Sequence, residues 1–324
     1  MSGRVTLVEG TPQTALAAQV EAYLKELRAA GRRSSTVNTS YGYPLRSLFL
    51  PFCGENGVES VDQITNGLLV DFTIQLREQG GPRGPLSEAS IHAYLRPVNQ
   101  FLKWSREQGS SVKARAKLPS LEKRLLDTLS RDEIQRLEDH CATERSKLVI
   151  RVLADTGIRV SELCDLRTRD LVDQGREHYL HIRRGKGGKG RLVPIPRLHL
   201  RLRRFAERGR PADVDRHEDH LFLGQHRRPA SEGGGHMPLT PSGVQQLVRN
   251  VAIEAGIQTG ERKIYPHLFR HSFITEQLRR GMNQIQLAQI VGHTDTTMIA
   301  RVYSHLVQSD AYNALVKAFN MDDA

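Results

Sequence analysis

Cysteine is scarce in this 324-residue chain: Cys53, Cys141 and Cys164 are odd in number and far apart, with no CxxC pair. That excludes a disulfide framework and a cysteine-based zinc site, and leaves the three thiols as small core residues. No long apolar run is present. The most apolar stretches, such as Lys147–Ala154, carry charges and fall well short of a bilayer span. The first residues, MSGRVTLVEGTPQT, lack the apolar segment of a signal peptide. There is no P-loop, GxSxG or HExxH motif and no internal repeat. His217 and His220 have a faintly metal-like spacing but sit in an irregular basic loop without a second cluster, so no ligand role is assigned to them. Acidic residues are also outnumbered. Lys and Arg total 47 against 36 Asp and Glu, a formal net charge of +11. The balance points to a polyanionic partner, most often nucleic acid, or to an acidic membrane surface.

The apolar periodicity divides the chain. Leu16, Val20, Tyr23, Leu24 and Leu27 predict a helix over Gln13–Ala30. A second is expected over Thr36–Cys53. A third, capped by Thr65, places Leu68, Leu69, Phe72 and Leu76 on one face. The breaker Gly80–Pro85 precedes a fourth, which starts at Ser87 and ends near Gln108, with Pro97 as a candidate kink. From Gly109 to Leu126 the periodicity fails and Lys113, Arg115, Lys117, Lys123 and Arg124 accumulate. This reads as a basic strap between two domains.

Beyond it, helices are expected from Ser130, over Ser146–Thr156 with Gly157 as the stop, and over Val160–Leu166. The period then changes. Tyr179–Arg184 and Arg191–Ile195 predict a β-hairpin whose glycine-rich turn carries Lys186 and Lys189. Helices resume at Arg197–Arg208, Pro241–Ala255, His267–Arg279, Met282–Val291, Thr296–Tyr303 and Ser309–Phe319, with an irregular loop over Arg210–Leu239. The expected fold is mainly α with a small β-hairpin or sheet.

Three stretches carry chemistry: Thr156–Leu163 around Arg159, His267–His271 around Arg270, and Gly292–Asp295 followed by Tyr303. Each alone reads as ordinary surface or packing. Together, two arginines, several histidines, a hairpin lysine and a tyrosine form a metal-free phosphoryl-transfer set. Guanidinium forks match paired phosphate oxygens, and tyrosine can act as a covalent nucleophile when a neighbour takes its proton.

In these residues the chain resembles the tyrosine recombinase (phage integrase) family. The first arginine box resembles TGIRVSELCDL, and the hairpin lysine is Lys186 in GKGGKGRLVPIP. The His-x-x-Arg box is HLFRH, and VGHTDTTMIARVYSH carries His293 and Tyr303. Val291, where leucine is commoner, and the long Arg210–Leu239 loop are the departures. The resemblance implies a two-domain clamp around duplex DNA. Its parts are a tail (1–11), a helical core-binding domain (12–108), a basic linker (109–126), a catalytic domain (127–308) and a C-terminal helix exchanged between protomers (309–324). It also implies roles. Tyr303 attacks the scissile phosphate, Arg159 and Arg270 hold its nonbridging oxygens, and Lys186 protonates the leaving 5′-oxygen. His267 serves as base and then acid, His293 hydrogen-bonds the phosphate, and Glu162 orients Arg159 from behind. His271 is structural. Lys189 and Arg191 join the strap residues as DNA contacts. No cofactor, metal or ATP is implied, because the covalent phosphotyrosine keeps the phosphodiester energy.

The partners implied are DNA with paired recombination sites and further copies of this chain: a monomer when free, a tetramer in the synapse. No membrane is implied. The location is the cytoplasm of a bacterial cell, with the chain encoded there or by a mobile element, and no separate arm-binding domain precedes the first helix. Two other activities would fit the same fold, a type IB topoisomerase and a catalytically silent DNA-binding protein.

Overall fold

The structure is a computed structural model that describes residues 14–80, 85–121, 127–183, 190–211, 213–214, 220–227, 231, 234–260 and 262–292. It divides into two units, Met1–Lys123 and Arg124–Ala324.

The first unit is helical. Helix α1 (Ala15–Ala29) starts where the Thr14 hydroxyl accepts the Ala17 N–H, and it buries Leu16, Val20, Tyr23 and Leu24. The second expected helix is longer than its periodicity predicts. It begins as α2 (Ser34–Thr36), widens over Val37–Phe49, and tightens again as α3 (Leu50–Glu55). The wide stretch holds Pro44, and at its end the Leu50 N–H reaches back five residues to the Leu45 carbonyl. Thr65 caps α4 (Asn66–Glu78) and Ser87 caps α5 (Glu88–Glu107), which runs on through Pro97. Aromatic rings fill the interior: Phe49 and Phe52 lie against Phe72, and Tyr23 lies against Phe101 and Trp104.

The basic strap belongs to this unit and is no free linker. Val112, Ala114 and Ala116 are buried in its core, while Lys113, Arg115 and Lys117 between them are exposed. Side chains hold the strap's backbone. Asn99 exchanges two hydrogen bonds with Ala116 (2.8 and 2.9 Å), and Asn66 accepts from the Arg115 N–H (2.9 Å). Asp62 Oδ1 accepts from the Ser110 hydroxyl and from the N–H and hydroxyl of Ser111. The strap therefore packs with this unit through at least Ala116, beyond the expected boundary at Gln108. The missed signal is a period of two, muted because two of the three buried residues are alanines. Lys123 and Arg124 lie outside the described residues.

In the second unit, Ser130 and Glu133 form a capping box at the start of α6 (Arg131–Asp139). Helix α7 (Glu144–Thr156) ends at Gly157, followed by the short α8 (Val160–Cys164). The expected hairpin strands are β2 (Glu177–Ile182) and β3 (Arg191–Pro194), paired antiparallel with Ile182 opposite Arg191. An unexpected strand, β1 (Leu171–Gln174), extends them to a three-stranded sheet. After α9 (His199–Arg204), the loop expected to be irregular contains β4 (Leu223–Arg227) and β5 (His236–Pro238). Then come α10 (Pro241–Glu254), α11 (Pro266–Arg279) and α12 (Gln284–Val291). The two helices expected after Gly292 lie outside the described residues.

Helix α11 is buried on nearly every side, with Leu268, Phe269, Arg270, Ser272, Phe273 and Ile274 enclosed. The free cysteines are buried as expected, and burial pushes the thiols of Cys53 and Cys164 up to about 12 and that of Cys141 to about 11. Among the described residues, no helix is long and apolar enough to cross a membrane.

Gly157 is the hinge between α7 and the first arginine box. Its φ is +59°, and a Cβ there would stand 2.5 Å from Cδ1 of Phe273. Gly157→Ala combines left-handed strain with a collision inside a packed core, so it is expected to lose at least about 2 kcal/mol of stability. Urea unfolding of the two proteins checks this, and an unchanged midpoint would contradict the packing described.

Candidate active site

Three arginines from three elements converge on one turn. Arg159 is the residue just before α8, Arg191 opens β3, and Arg270 lies in the first turns of α11. Each donates to a different carbonyl at the end of α12. Arg191 Nε bonds Ile290 (2.7 Å), Arg270 Nη2 bonds Val291 (2.6 Å), and Arg159 Nη2 bonds Gly292 (3.0 Å). The last carbonyls of a helix have no partner within it and carry the negative end of its dipole, so guanidinium donors suit them on both counts. Gly292 closes the helix at φ +67°.

Behind the arginines stands Glu162. Its side chain is 4% exposed, and α8 points it back at its own N-terminus. One oxygen accepts the Arg159 N–H at 2.9 Å, and the other accepts Arg159 Nη1 at 2.9 Å. Arg191 grips both oxygens, at 2.9 and 2.7 Å. Burial alone would raise the Glu162 pKa. The Arg191 hydrogen bonds, the Arg159 N–H and the two positive charges overcome that and hold it below the usual carboxylate range.

Arg270 is the most enclosed of the set, only 2% exposed, with Nη1 on the Gly157 carbonyl at 2.6 Å. Burial and the nearby Arg159 and Arg191 charges push its pKa down to about 9, against a partial rescue by Glu162. Arg159 is the most open of the three, its side chain 25% exposed. His267, three residues before Arg270, is exposed at the rim. Partial burial and the charges of Arg270 and Arg159 lower its pKa, so it is neutral at pH 7. The structure places Arg159, Glu162, His267 and Arg270 near one another. Lys186, Lys189, His293 and Tyr303 lie outside the described residues, although His293 directly follows Gly292 in sequence.

Arg191 requires a correction. It was expected as a DNA contact, yet its side chain is 10% exposed and all three guanidinium nitrogens have protein acceptors. The signal for this was present in the strand. Arg191 alternates in phase with the buried Val193, so it faces the interior, while Leu192 and Pro194 face out.

A further cluster escaped sequence reasoning because its members are far apart in the chain. Asp173, His178 and His199 offer ligand atoms within 4.8 Å of one another. The two imidazoles stack in parallel, 3.4 Å between centroids and 3° between planes, and His178 Nδ1 and His199 Nε2 both lie against Asp173 Oδ1, at 2.8 and 3.2 Å. Asp173 also gives its second oxygen to Arg203 at 2.5 Å. In this structure the cluster is a contact network centred on Asp173, whose ion pair is with Arg203.

The chain matches the model of the phage integrase family over residues 127–309. It is similar to the tyrosine recombinase XerD of Halalkalibacterium halodurans, 28% identical over 287 residues covering 86% of this chain and 89% of the relative. It is also similar to the tyrosine recombinase XerA of Saccharolobus solfataricus, 26% identical over 306 residues and 92% of each chain. Among solved structures, it shares its fold with a Tn1549 transposon integrase in complex with transposon right end DNA. That match has a TM-score of 0.67 at 19% identity and covers 92% of this chain and 98% of the integrase. A XerH site-specific recombinase bound to palindromic difH substrate matches with a TM-score of 0.66 at 21% identity, over 92% and 83%.

His271 supplies a pH test of the site's packing. Its ring meets that of His267 edge to face at 4.7 Å, and its Nδ1 is buried without a hydrogen-bond partner. Burial, His267 and Arg270 together push its pKa from 6.5 down to about 4. Between these values the unfolded chain binds the proton and the folded chain does not, so folding stability falls as pH drops through that window. The limiting slope is roughly 1.4 kcal/mol per pH unit. Urea midpoints measured from pH 6.5 to 4 are expected to fall more steeply for the native protein than for His271→Gln; equal slopes would place His271 in contact with solvent. The motifs, the arginine cluster and the family match converge on one identification: this chain belongs to the phage integrase family.

Proposed function

We propose that Arg159 and Arg270 form the phosphate clamp of this chain, a tyrosine recombinase that cuts and rejoins DNA at specific sites. The observation that carries this reading is the charge imbalance of the site. Among the described residues, three guanidiniums gather around one carboxylate, Glu162, and burial lowers the pKa of one of them, Arg270, to about 9. Such a site is completed by an anion. A phosphodiester with charge building on its nonbridging oxygens in the transition state fits that need.

The chemistry then runs as two transesterifications. The Tyr303 oxygen attacks phosphorus and its proton passes to His267, which is neutral and able to accept it. The bond from phosphorus to the 5′-oxygen breaks, and Lys186 supplies the proton that the leaving alkoxide needs. A 3′-phosphotyrosine and a free 5′-hydroxyl result. The 5′-hydroxyl of a partner strand attacks in turn and releases Tyr303. One phosphoester bond is exchanged for another at each step, so ATP is not consumed and no metal is required. His293 would add a hydrogen bond to the same phosphate, and Lys189 a contact to the DNA backbone. In the first unit, the outward Lys113, Arg115 and Lys117 of the strap are suited to DNA phosphates. Lys123 and Arg124 continue that run in the sequence.

Nicked suicide substrates test the assignment. Tyr303→Phe should bind DNA normally and form no covalent adduct. Arg159→Lys keeps the charge but loses the fork, and its cleavage should fall by more than about 100-fold. A phosphotyrosine adduct in the Tyr303→Phe protein would transfer the role to another tyrosine, Tyr312 being the nearest in sequence. Near-normal cleavage by Arg159→Lys would place Arg159 outside the clamp.

Assembly belongs to the same proposal. In the sequence, Ala311, Leu315 and Phe319 fall on one helical face near the chain end. A recess of about 920 Å³ in the second unit, lined in part by Leu129, Ile134, Phe273, Met282 and Ile290, is large enough to receive such a face from a neighbour. Passed head to tail, that contact closes a cyclic tetramer on two DNA sites from subunits that are monomeric when free. Deletion of Ser309–Ala324 is expected to spare most single-site binding and to abolish cooperative assembly and recombination, as read by gel shift and product assay. Efficient recombination by the truncated protein, or an active one-protomer complex, would favour a type IB topoisomerase activity instead.

A further inference from the structure

Arg191 follows the glycine-rich turn in the GKGGKGRLVPIP stretch, and its side chain joins Glu162 to the Ile290 carbonyl. We propose that Arg191 is a positioning residue for strand cleavage: it sets the Arg159 guanidinium through Glu162 and fixes the Ile290–Gly292 turn, without touching DNA. This rests on the reading of Arg159 as a phosphate clamp.

The geometry supplies three reasons. The first is occupancy. Nε is held by the Ile290 carbonyl and both Nη atoms by Glu162, so three of its five N–H donors are spent inside the protein and its side chain is only 10% exposed, whereas the hydrogen bonds of Arg159 and Arg270 to described residues use their Nη atoms alone. The second is fit. A Cβ on Gly292 would come within 2.8 Å of the Arg191 guanidinium, so the turn is built around that side chain. Gly292 is suited to the position both by its left-handed φ and by this close approach. The third is charge. Arg191 binds Glu162 bidentately, while Arg159 Nη1 reaches only one of those oxygens. With Arg191 in place, the carboxylate is neutralised from behind and Arg159 keeps positive charge to offer a phosphate. Without it, Glu162 would be paired by Arg159 alone, the clamp would lose one positive charge, and the Ile290 carbonyl would lose its donor.

The arrangement also explains why lysine would serve poorly here. An ammonium cannot hold the two Glu162 oxygens in a planar fork and reach the Ile290 carbonyl with a third, fixed donor. The residue acts on Arg159 and on the backbone that leads directly into His293, and not on the reacting atoms themselves.

Single-turnover cleavage of a nicked substrate at saturating DNA tests the proposal, with DNA affinity measured across a salt series. Arg191→Ala should slow cleavage by about 10- to 100-fold, leave the affinity within about 3-fold, and leave the salt slope unchanged. Arg191→Lys should recover only part of the rate. Because Arg191 acts through Glu162, the double variant Arg191→Ala, Glu162→Gln should be no slower than the worse single one. Melting of each variant is followed in parallel; should Arg191→Ala fail to fold, Arg191→Lys and its double with Glu162→Gln carry the same comparison. Two results would overturn the proposal. A normal saturated rate with weaker binding and a salt slope reduced by about one would make Arg191 a phosphate contact. Fully additive losses in the double variant would make it independent of Glu162. Arg159→Ala is run alongside: a wild-type rate in that protein would reject the clamp reading and leave the Arg191–Glu162 coupling to be judged by the double variant alone.

Discussion

The end of helix α12 is the point on which the site depends. Its last carbonyls, Ile290, Val291 and Gly292, are unsatisfied by the helix itself and partly buried, a combination that ordinarily costs stability. The fold resolves this by bringing a guanidinium to each, from β3, from α11 and from the loop before α8. Those three elements are far apart in sequence, so the capped turn acts as a knot that ties the sheet, the central helix and the first arginine box to one another. Anything that follows Gly292 starts from a backbone fixed on three sides. The requirement for glycine at 292 and at 157 has the same origin. Both carbonyls serve the arginine cluster, and both residues approach a neighbouring side chain too closely to carry a Cβ.

Concentrating three cations in this way is unfavourable in itself. Arg270 is almost fully enclosed, and burial first, then the Arg159 and Arg191 charges, lower its pKa. Glu162 relieves part of that effect and is itself stabilised in its charged form by the same neighbours. The balance left over is positive. Preorganised donors gathered at one point are the arrangement expected where negative charge develops during a reaction, since no reorganisation is then needed at the moment it appears. Arginine suits all three positions for the same reason. Each guanidinium divides its donors between a carbonyl and a second acceptor, which a point-charge ammonium could not do in fixed geometry.

Much of this was legible from sequence because the signals are local. The Ser130 and Glu133 capping box, the Gly157 stop, the hairpin strands flanking the glycine-rich turn and the three-residue spacing of His267 and Arg270 each depend on residues within one or two turns of each other. What escaped was either non-local or faint. Nothing near Arg191 in the chain announces Glu162 or Ile290 as its partners, and only its register with Val193 hints that it points inward. The strap's alternation is built from Val112 and two alanines, too little apolar mass to stand out against its lysines and arginines. The small strands β1, β4 and β5 are three to five residues long and owe their existence to partners supplied by the rest of the unit.

His267 and His271 lie on one helix, yet their basicity is lowered by different means. Four residues apart, they touch edge to face, and both are kept neutral at pH 7. His271 owes this first to burial, which substrate does not change. His267 is exposed at the rim, and after partial burial its low basicity comes from Arg270 and Arg159. A phosphodiester seated between those arginines would bring a negative charge beside them and cancel part of their field at His267. The imidazole would then become a stronger base as the phosphate arrives. Proton acceptance from the nucleophile would thereby be coupled to occupancy of the clamp, while the neighbouring His271, insulated by packing, keeps the helix face uncharged beneath it.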